Sequence, residues 1–430
     1  MDDTKIVAVH GRRVWDSRGQ PTVEAVVRLL DGSVGRGIAP AGASRGMREA
    51  IDLRDGGERF AGLDVQLALA ALRLTIAPAL VGMDARDQRA VDQAMIDLDG
   101  TPNKSRLGGN AMVAVSLAVA HAASASAGLP LWRHLRDGRP VRLPLPEIQI
   151  FGGGVHAGCR IDIQDLMIVA PAARTFAQAL EMTAEVYRAA GKLLHASGGH
   201  FGVADEGGHW PAFDSNEAAL DMLVRSIEAA GYVPGHDIAI SLDIAASEFG
   251  KGGKYRLALE GKELDSDGMC EMMIGWCARY PIVSIEDPLG EDDPEGLKRL
   301  TEAVGERVQV IGDDYLVTNL ERVKEAAEGG VVNAVLVKVN QVGTVSEAYR
   351  ALQAAKAAGF GTIVSARSGE SEDTSIVDLA VGWDAGQIKV GSFSRSERMA
   401  KWNALLRIED EPGSNCTYAG ASVLPAFARR

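Results

Sequence analysis

Two rhythms of apolar and polar positions divide the chain. In the first third, short alternating runs at Ile6–Trp15, Thr22–Leu29 and Val34–Ile38 predict an antiparallel meander, turned at Ser17-Arg18-Gly19 and Asp31-Gly32. A loop of small residues, Ala39 to Gly46, follows. Helical spacing then runs through Val65–Leu80, Asp87–Leu98 and Asn110–Ala127. Pro130, Pro140, Pro144 and Pro146 punctuate a connection. From about Leu143 the rhythm changes to short apolar runs alternating with amphipathic stretches. The runs are Ile161–Val169, Gly202–Asp205, Ile238–Ile244, Ile282–Ile285, Val308–Ile311, Ala334–Val339, Thr362–Ser365 and Gln387–Val390. Asn216–Ala230, Val345–Ala358 and Ser396–Ile408 separate many of them. Repeated strand–helix units of this kind predict a (β/α)8-type barrel over residues 141–430, with an α+β domain over 1–140. A doubly wound open sheet is the alternative, but no G-x-G-x-x-G follows an early strand.

Composition narrows the class. At 430 residues, 46% hydrophobic and 24% charged, the chain is ordinary globular material of two-domain length. The helical stretch Ala111–Leu129 is rich in Ala and Ser and interrupted by His121, so it reads as a tightly packed helix and not a membrane span. A net charge of −13 argues against nucleic acid and anionic membranes as partners, but not against a small anion held by local cations. The four cysteines, Cys159, Cys270, Cys277 and Cys416, form no C-x-x-C pair. Met1 to Trp15 carries charges throughout and lacks an apolar signal core, and a cytoplasmic protein is expected.

The candidate chemistry sits at the ends of the apolar runs. Asp243, Glu286 and Asp313 end three successive runs, and Lys338, Arg367 and Lys389 occupy the matching positions of the next three. Any one of these residues is unremarkable: strand-end Asp often caps a helix, and a Lys in an apolar run often snorkels. Together they form an ordered ring of unlike charge, and in a barrel all six converge on one mouth. Three oxygen donors without His or Cys suit a hard divalent cation, Mg²⁺ or Mn²⁺. A lysine facing that metal beside a second lysine is expected to have a depressed pKa and to serve as a base. The combination fits removal of a proton α to a carboxylate.

Several stretches then resemble the enolase family along nearly the whole chain. They are Asp16-Ser-Arg-Gly-Gln-Pro-Thr-Val-Glu24, Leu98-Asp-Gly-Thr-Pro-Asn-Lys-Ser105, Ser241-Leu-Asp-Ile-Ala-Ala-Ser-Glu-Phe249, Ser284-Ile-Glu-Asp-Pro288, Leu336-Val-Lys-Val-Asn-Gln-Val-Gly-Thr344 and Arg395-Ser-Glu-Arg398. The resemblance implies a modified barrel with an α+β cap, a homodimer or larger assembly, and two Mg²⁺ ions. It makes Asp243, Glu286 and Asp313 ligands of the first ion and Ser44 a ligand of the second. Lys338 becomes the base at C2, Glu206 the acid at the C3 hydroxyl, and Asp165 and His156 their helpers. Gln164, Arg367, Ser368 and Lys389 would bind a small phosphorus-containing anion.

The departures from the family pattern cluster in this site. Ser-His-Arg-Ser-Gly-Glu is replaced by Ser365-Ala-Arg-Ser-Gly-Glu370, Pro-Ser-Gly-Ala-Ser-Thr-Gly by Pro40-Ala-Gly-Ala-Ser-Arg-Gly46, and Gln-Glu-Phe by Gln164-Asp-Leu. Space at Ala366 and a guanidinium at Arg45 suggest an extra carboxylate beside phosphorus. The favoured reading at this level is therefore dehydration of 2-phosphonoformylglycerate, the reaction of carboxyphosphonoenolpyruvate synthases. Ordinary enolase action on 2-phosphoglycerate is the alternative. A non-catalytic descendant fits less well, because no metal ligand and no base is lost.

Overall fold

A computed structural model describes residues 3–136, 138–412 and 415–428. The cap opens with the expected meander: β1 (Ile6–Trp15), β2 (Pro21–Leu29) and β3 (Val34–Ile38) pair antiparallel in that order. The first turn places Gly19 at φ +73° and the second Gly32 at φ +90°, a region that favours glycine. The sheet packs on α1 (Gly109–Ser126), in which every residue from Gly109 to Ala120 is buried. Small residues allow that contact. A Cβ on Gly35 would lie 2.1 Å from the Ala118 carbonyl oxygen and 2.2 Å from the Ala122 nitrogen, so backbone meets backbone here. A helix apolar on all sides is thus a core helix, and no helix among the described residues is long and apolar enough to cross a membrane. The helical stretch near Val65–Leu80 is continuous from Gln66 to Leu80, with a wide π segment at Leu72–Ile76 just ahead of Pro78, which cannot donate to the ladder.

The second domain is a closed barrel of eight strands: β4 (Leu145–Gly152), β5 (Asp165–Val169), β6 (Ala239–Asp243), β7 (Ile282–Glu286), β8 (Gln309–Gly312), β9 (Ala334–Val337), β10 (Gly361–Ser365) and β11 (Gly386–Gly391), closed by β11 pairing with β4. It departs from the expected repeat in two places. Gly202–Asp205 is not a barrel strand: His200–Val203 pairs antiparallel with His209–Pro211, and this hairpin touches the barrel through one bridge, Phe151 to His209. The missing strand is Leu145–Gly152, all eight residues of which are buried.

The second departure is direction. β5 runs antiparallel to both β4 and β6. Two helices in succession, α2 (Phe176–Ser197) and α3 (Asn216–Ala229), then return the chain to the foot of the barrel before β6. Because β5 is reversed, its first residue, Asp165, lies at the mouth, opposite Asp243 in register. At the foot, Leu424 packs against Leu145, Val169, Ala239 and Val283 and plugs that end. Inside, one apolar layer holds Ile311, Ala334, Leu336 and Ile363. Another layer is polar. There Gln387 donates to Glu147 at 2.9 Å, Gln309 to Gln387 at 2.8 Å and Ser284 to Gln309 at 3.1 Å.

Candidate active site

Every strand-end residue expected at the mouth is there, and all are buried. Lys389, on β11, is the hub. Its Nζ lies 2.8 Å from Asp243 Oδ2, 2.8 Å from Glu286 Oε2 and 3.4 Å from Asp165 Oδ2. Burial alone would push its pKa down. Asp243, Glu286, Asp165 and Glu206 outweigh that and hold it well above the usual lysine range. Gln164 donates to Asp243 at 3.1 Å, and Gln149 donates to Asp165.

Lys338, just after β9, pairs with Asp313, just after β8. Burial is the largest influence and pulls the Lys338 pKa down, but the Asp313 and Glu286 carboxylates together outweigh it and the group is raised, not depressed. The second lysine, Lys389, contributes repulsion as expected, but less than the paired carboxylate contributes attraction.

A loop of the cap lies across the mouth. Ala41 and Gly369 exchange backbone hydrogen bonds of 2.9 Å, and Ala43 N donates to Ser368 Oγ at 3.2 Å. Arg367 Nη1 donates to Glu49 and Asn340 at 3.0 Å each, and its Nη2 to the Ser44 carbonyl at 3.0 Å and Glu49 at 3.1 Å. Gln341 links Asp313, at 2.8 Å, to Glu49, at 3.3 Å. Arg45 points elsewhere: it donates to Asp52 at 3.1 Å and its side chain is 41% exposed. Ala366 is buried, and its backbone N donates to the Lys389 carbonyl at 2.8 Å. Glu206 is buried in the turn of the hairpin, where its carbonyl accepts from Ser392 N at 2.9 Å. The side chain of His156 lies outside the described residues.

Four functional neighbours were not singled out from sequence: Glu49, Asn340, Gln341 and Asp287. The last three sit inside the stretches Leu336–Thr344 and Ser284–Pro288 and were legible as neighbours of the chosen residues. Glu49 follows the small-residue loop by three positions and carries no strand-end signal. Asp287 is a brace. At φ +41° its carboxylate accepts from Asp313 N at 2.9 Å and Asp314 N at 2.8 Å, fixing the turn that presents Asp313.

The donor set suits a hard cation. Asp165, Asp243, Glu286 and Asp313 are four buried carboxylates against two ammonium groups, Lys338 and Lys389. Burial, and then Asp243, push the Glu286 pKa well up, as expected where like charges crowd without enough counter-charge. Glu286 Oε1 and Gln164 Oε1 are buried with no hydrogen-bond partner among the described residues. The expected triad is divided, however, with Asp243 and Glu286 meeting on Lys389 and Asp313 on Lys338. The carboxylates that lie within 4.8 Å of one another are Asp287, Asp313 and Asp314, and Asp287 is already occupied by backbone donors.

A mouth with carboxylates and lysines placed in this way supports the resemblance, and comparison with known proteins agrees. Residues 6–135 match the family description "Enolase, N-terminal domain" and residues 140–426 match "Enolase, C-terminal TIM barrel domain". The chain is 48% identical over 429 residues to Enolase 1 of Desulfitobacterium hafniense (strain Y51), covering 99% of this chain and 98% of that protein. The protein is a member of the enolase family and a hydro-lyase of that type.

Proposed function

We propose that the barrel mouth converts 2-phosphoglycerate to phosphoenolpyruvate and water. The observation that carries this reading is the 48% identity to an enolase over the full chain, which favours ordinary enolase action over the phosphonoformyl substrate. The geometry at Arg45 points the same way. Its guanidinium is engaged by Asp52 at 3.1 Å, so the cation invoked for an extra carboxylate already has a partner.

In this reading Lys338 removes the C2 proton, the C3–O bond breaks as C2=C3 forms, and Glu206 delivers a proton so that water leaves. Arg367, Ser368 and Lys389 hold phosphate and carboxylate, with Gln164 and Asp165 positioning the ring of charges and His156 assisting the acid and base. Enolases generally use Mg²⁺. Held by Asp243, Glu286 and Asp313, and in a second position by Ser44, it would neutralise the carboxylate that keeps Lys338 protonated and stabilise negative charge growing on the substrate carboxylate. We place the domain division at residue 140 and infer a homodimer or larger assembly.

The test is a parallel measurement of kcat/KM on 2-phosphoglycerate and 2-phosphonoformylglycerate, for the parent and for Arg45→Ala. Brisk turnover of 2-phosphoglycerate, little changed by Arg45→Ala, is expected. Preference for the phosphonoformyl compound, lost with Arg45, would return the function to phosphonate biosynthesis.

A further inference from the structure

Away from the mouth, a cleft of about 640 Å³ lies on the seam between the domains. Arg89 reaches it from the cap helix Gln88–Asp99, Arg350 from the barrel helix Val345–Ala357, and Arg139 from the connection between the domains. No carboxylate lines it among the described residues. All three arginines are exposed, and none pairs with a carboxylate among the described residues; Arg139 donates only to the carbonyls of Arg136 and Leu135. Some arginines elsewhere pair with acids, as in Arg13–Asp64, Arg86–Asp84 and Arg142–Asp384, whereas these three converge on one cleft.

The floor of the cleft has a different character. Leu135, Val345 and the half-buried Tyr349 ring line it, with Tyr349 packed 5.5 Å from the Trp383 ring. The cation rim suits an anion, while the apolar and aromatic floor suits a flat, weakly polar body. A bare phosphate would leave the floor unused, and a neutral aromatic would leave three charges unpaired. A cleft of this volume holds one small molecule. The net charge of −13 disfavours a polynucleotide.

We propose that this cleft binds a nucleoside di- or triphosphate, its base over Tyr349 and its phosphates among Arg89, Arg139 and Arg350. Such a ligand bridges cap and barrel at a point where they are already joined. Asp92 of the cap accepts from Ser346 N of the barrel at 2.9 Å and from Gln88 at 3.0 Å. Binding therefore tightens the seam and raises the melting temperature.

Calorimetric titration of the full chain with ADP, adenosine and pyrophosphate tests this. ADP is expected to bind, with adenosine and pyrophosphate each at least about tenfold weaker, because each satisfies only half of the site. The double charge reversal Arg89→Glu and Arg350→Glu is expected to weaken ADP at least about tenfold and to leave the dehydration rate unchanged. ADP affinity unaffected by the reversal, pyrophosphate binding as tightly as ADP, or no ADP binding at all would each overturn the proposal.

Discussion

Lys338→Ala is expected to lower turnover by roughly a hundred- to ten-thousand-fold, the range by which a positioned general base accelerates proton transfer. Lys338 follows β9, is 8% exposed, and is held toward the mouth by its backbone N–H on Thr318 Oγ1 at 2.9 Å and its side chain on Asp313. Nothing else in the mouth replaces it. Lys389 is tied to Asp243 and Glu286, and Arg367 to Glu49 and Asn340. Removing Lys338 also leaves Asp313 without its cation, so the loss of rate must be read beside a melting curve. Lys338→Met, which fills the space without charge, separates packing from chemistry. Loss of rate with an unchanged melting temperature in the Met variant supports the base assignment, and retention of a tenth or more of parent activity would remove it.

Asp313→Ala carries the second large effect, on the order of a thousandfold in turnover together with weakened Mg²⁺ binding. The estimate follows from several kcal/mol of charge stabilisation supplied by a well-placed metal. Asp313 is presented by a turn that Asp287 braces and Gln341 orients, so its oxygens are fixed before any cation arrives. A direct Mg²⁺ titration of the parent and the variant, with rates measured in the same buffers, checks both halves. Parent activity that survives a chelator, or a variant that binds Mg²⁺ as the parent does, would show that Asp313 is not a ligand.

Much of the site was legible because its residues stand at a repeated position. Asp243, Glu286, Asp313, Lys338, Arg367 and Lys389 each close or border a short apolar run, and a parallel barrel brings such ends together. Legibility failed where the barrel breaks its own rule. β5 is antiparallel, so its chemistry lies at its start, and Asp165 could be placed only by resemblance. β4 opens at Leu145, between Pro144 and Pro146, which read as a linker although Pro146 is in register with Ile388 inside the sheet. Gly202–Asp205 has the composition of a strand but folds as a side hairpin, whose turn delivers Glu206 to the mouth. Periodicity reports burial and spacing and carries no strand direction. The raised pKa of Lys338 was likewise beyond the sequence, because it depends on which carboxylate the ammonium meets in space.

The central claim is that one residue acts on C2 and another on C3, and exchange of the C2 proton measures this directly. In D₂O with 2-phosphoglycerate and Mg²⁺, NMR follows loss of the C2 proton while absorbance follows phosphoenolpyruvate. Glu206→Gln is predicted to keep C2 exchange and lose dehydration, and Lys338→Ala to lose both. Exchange that persists in Lys338→Ala and disappears in Glu206→Gln would contradict the assignment.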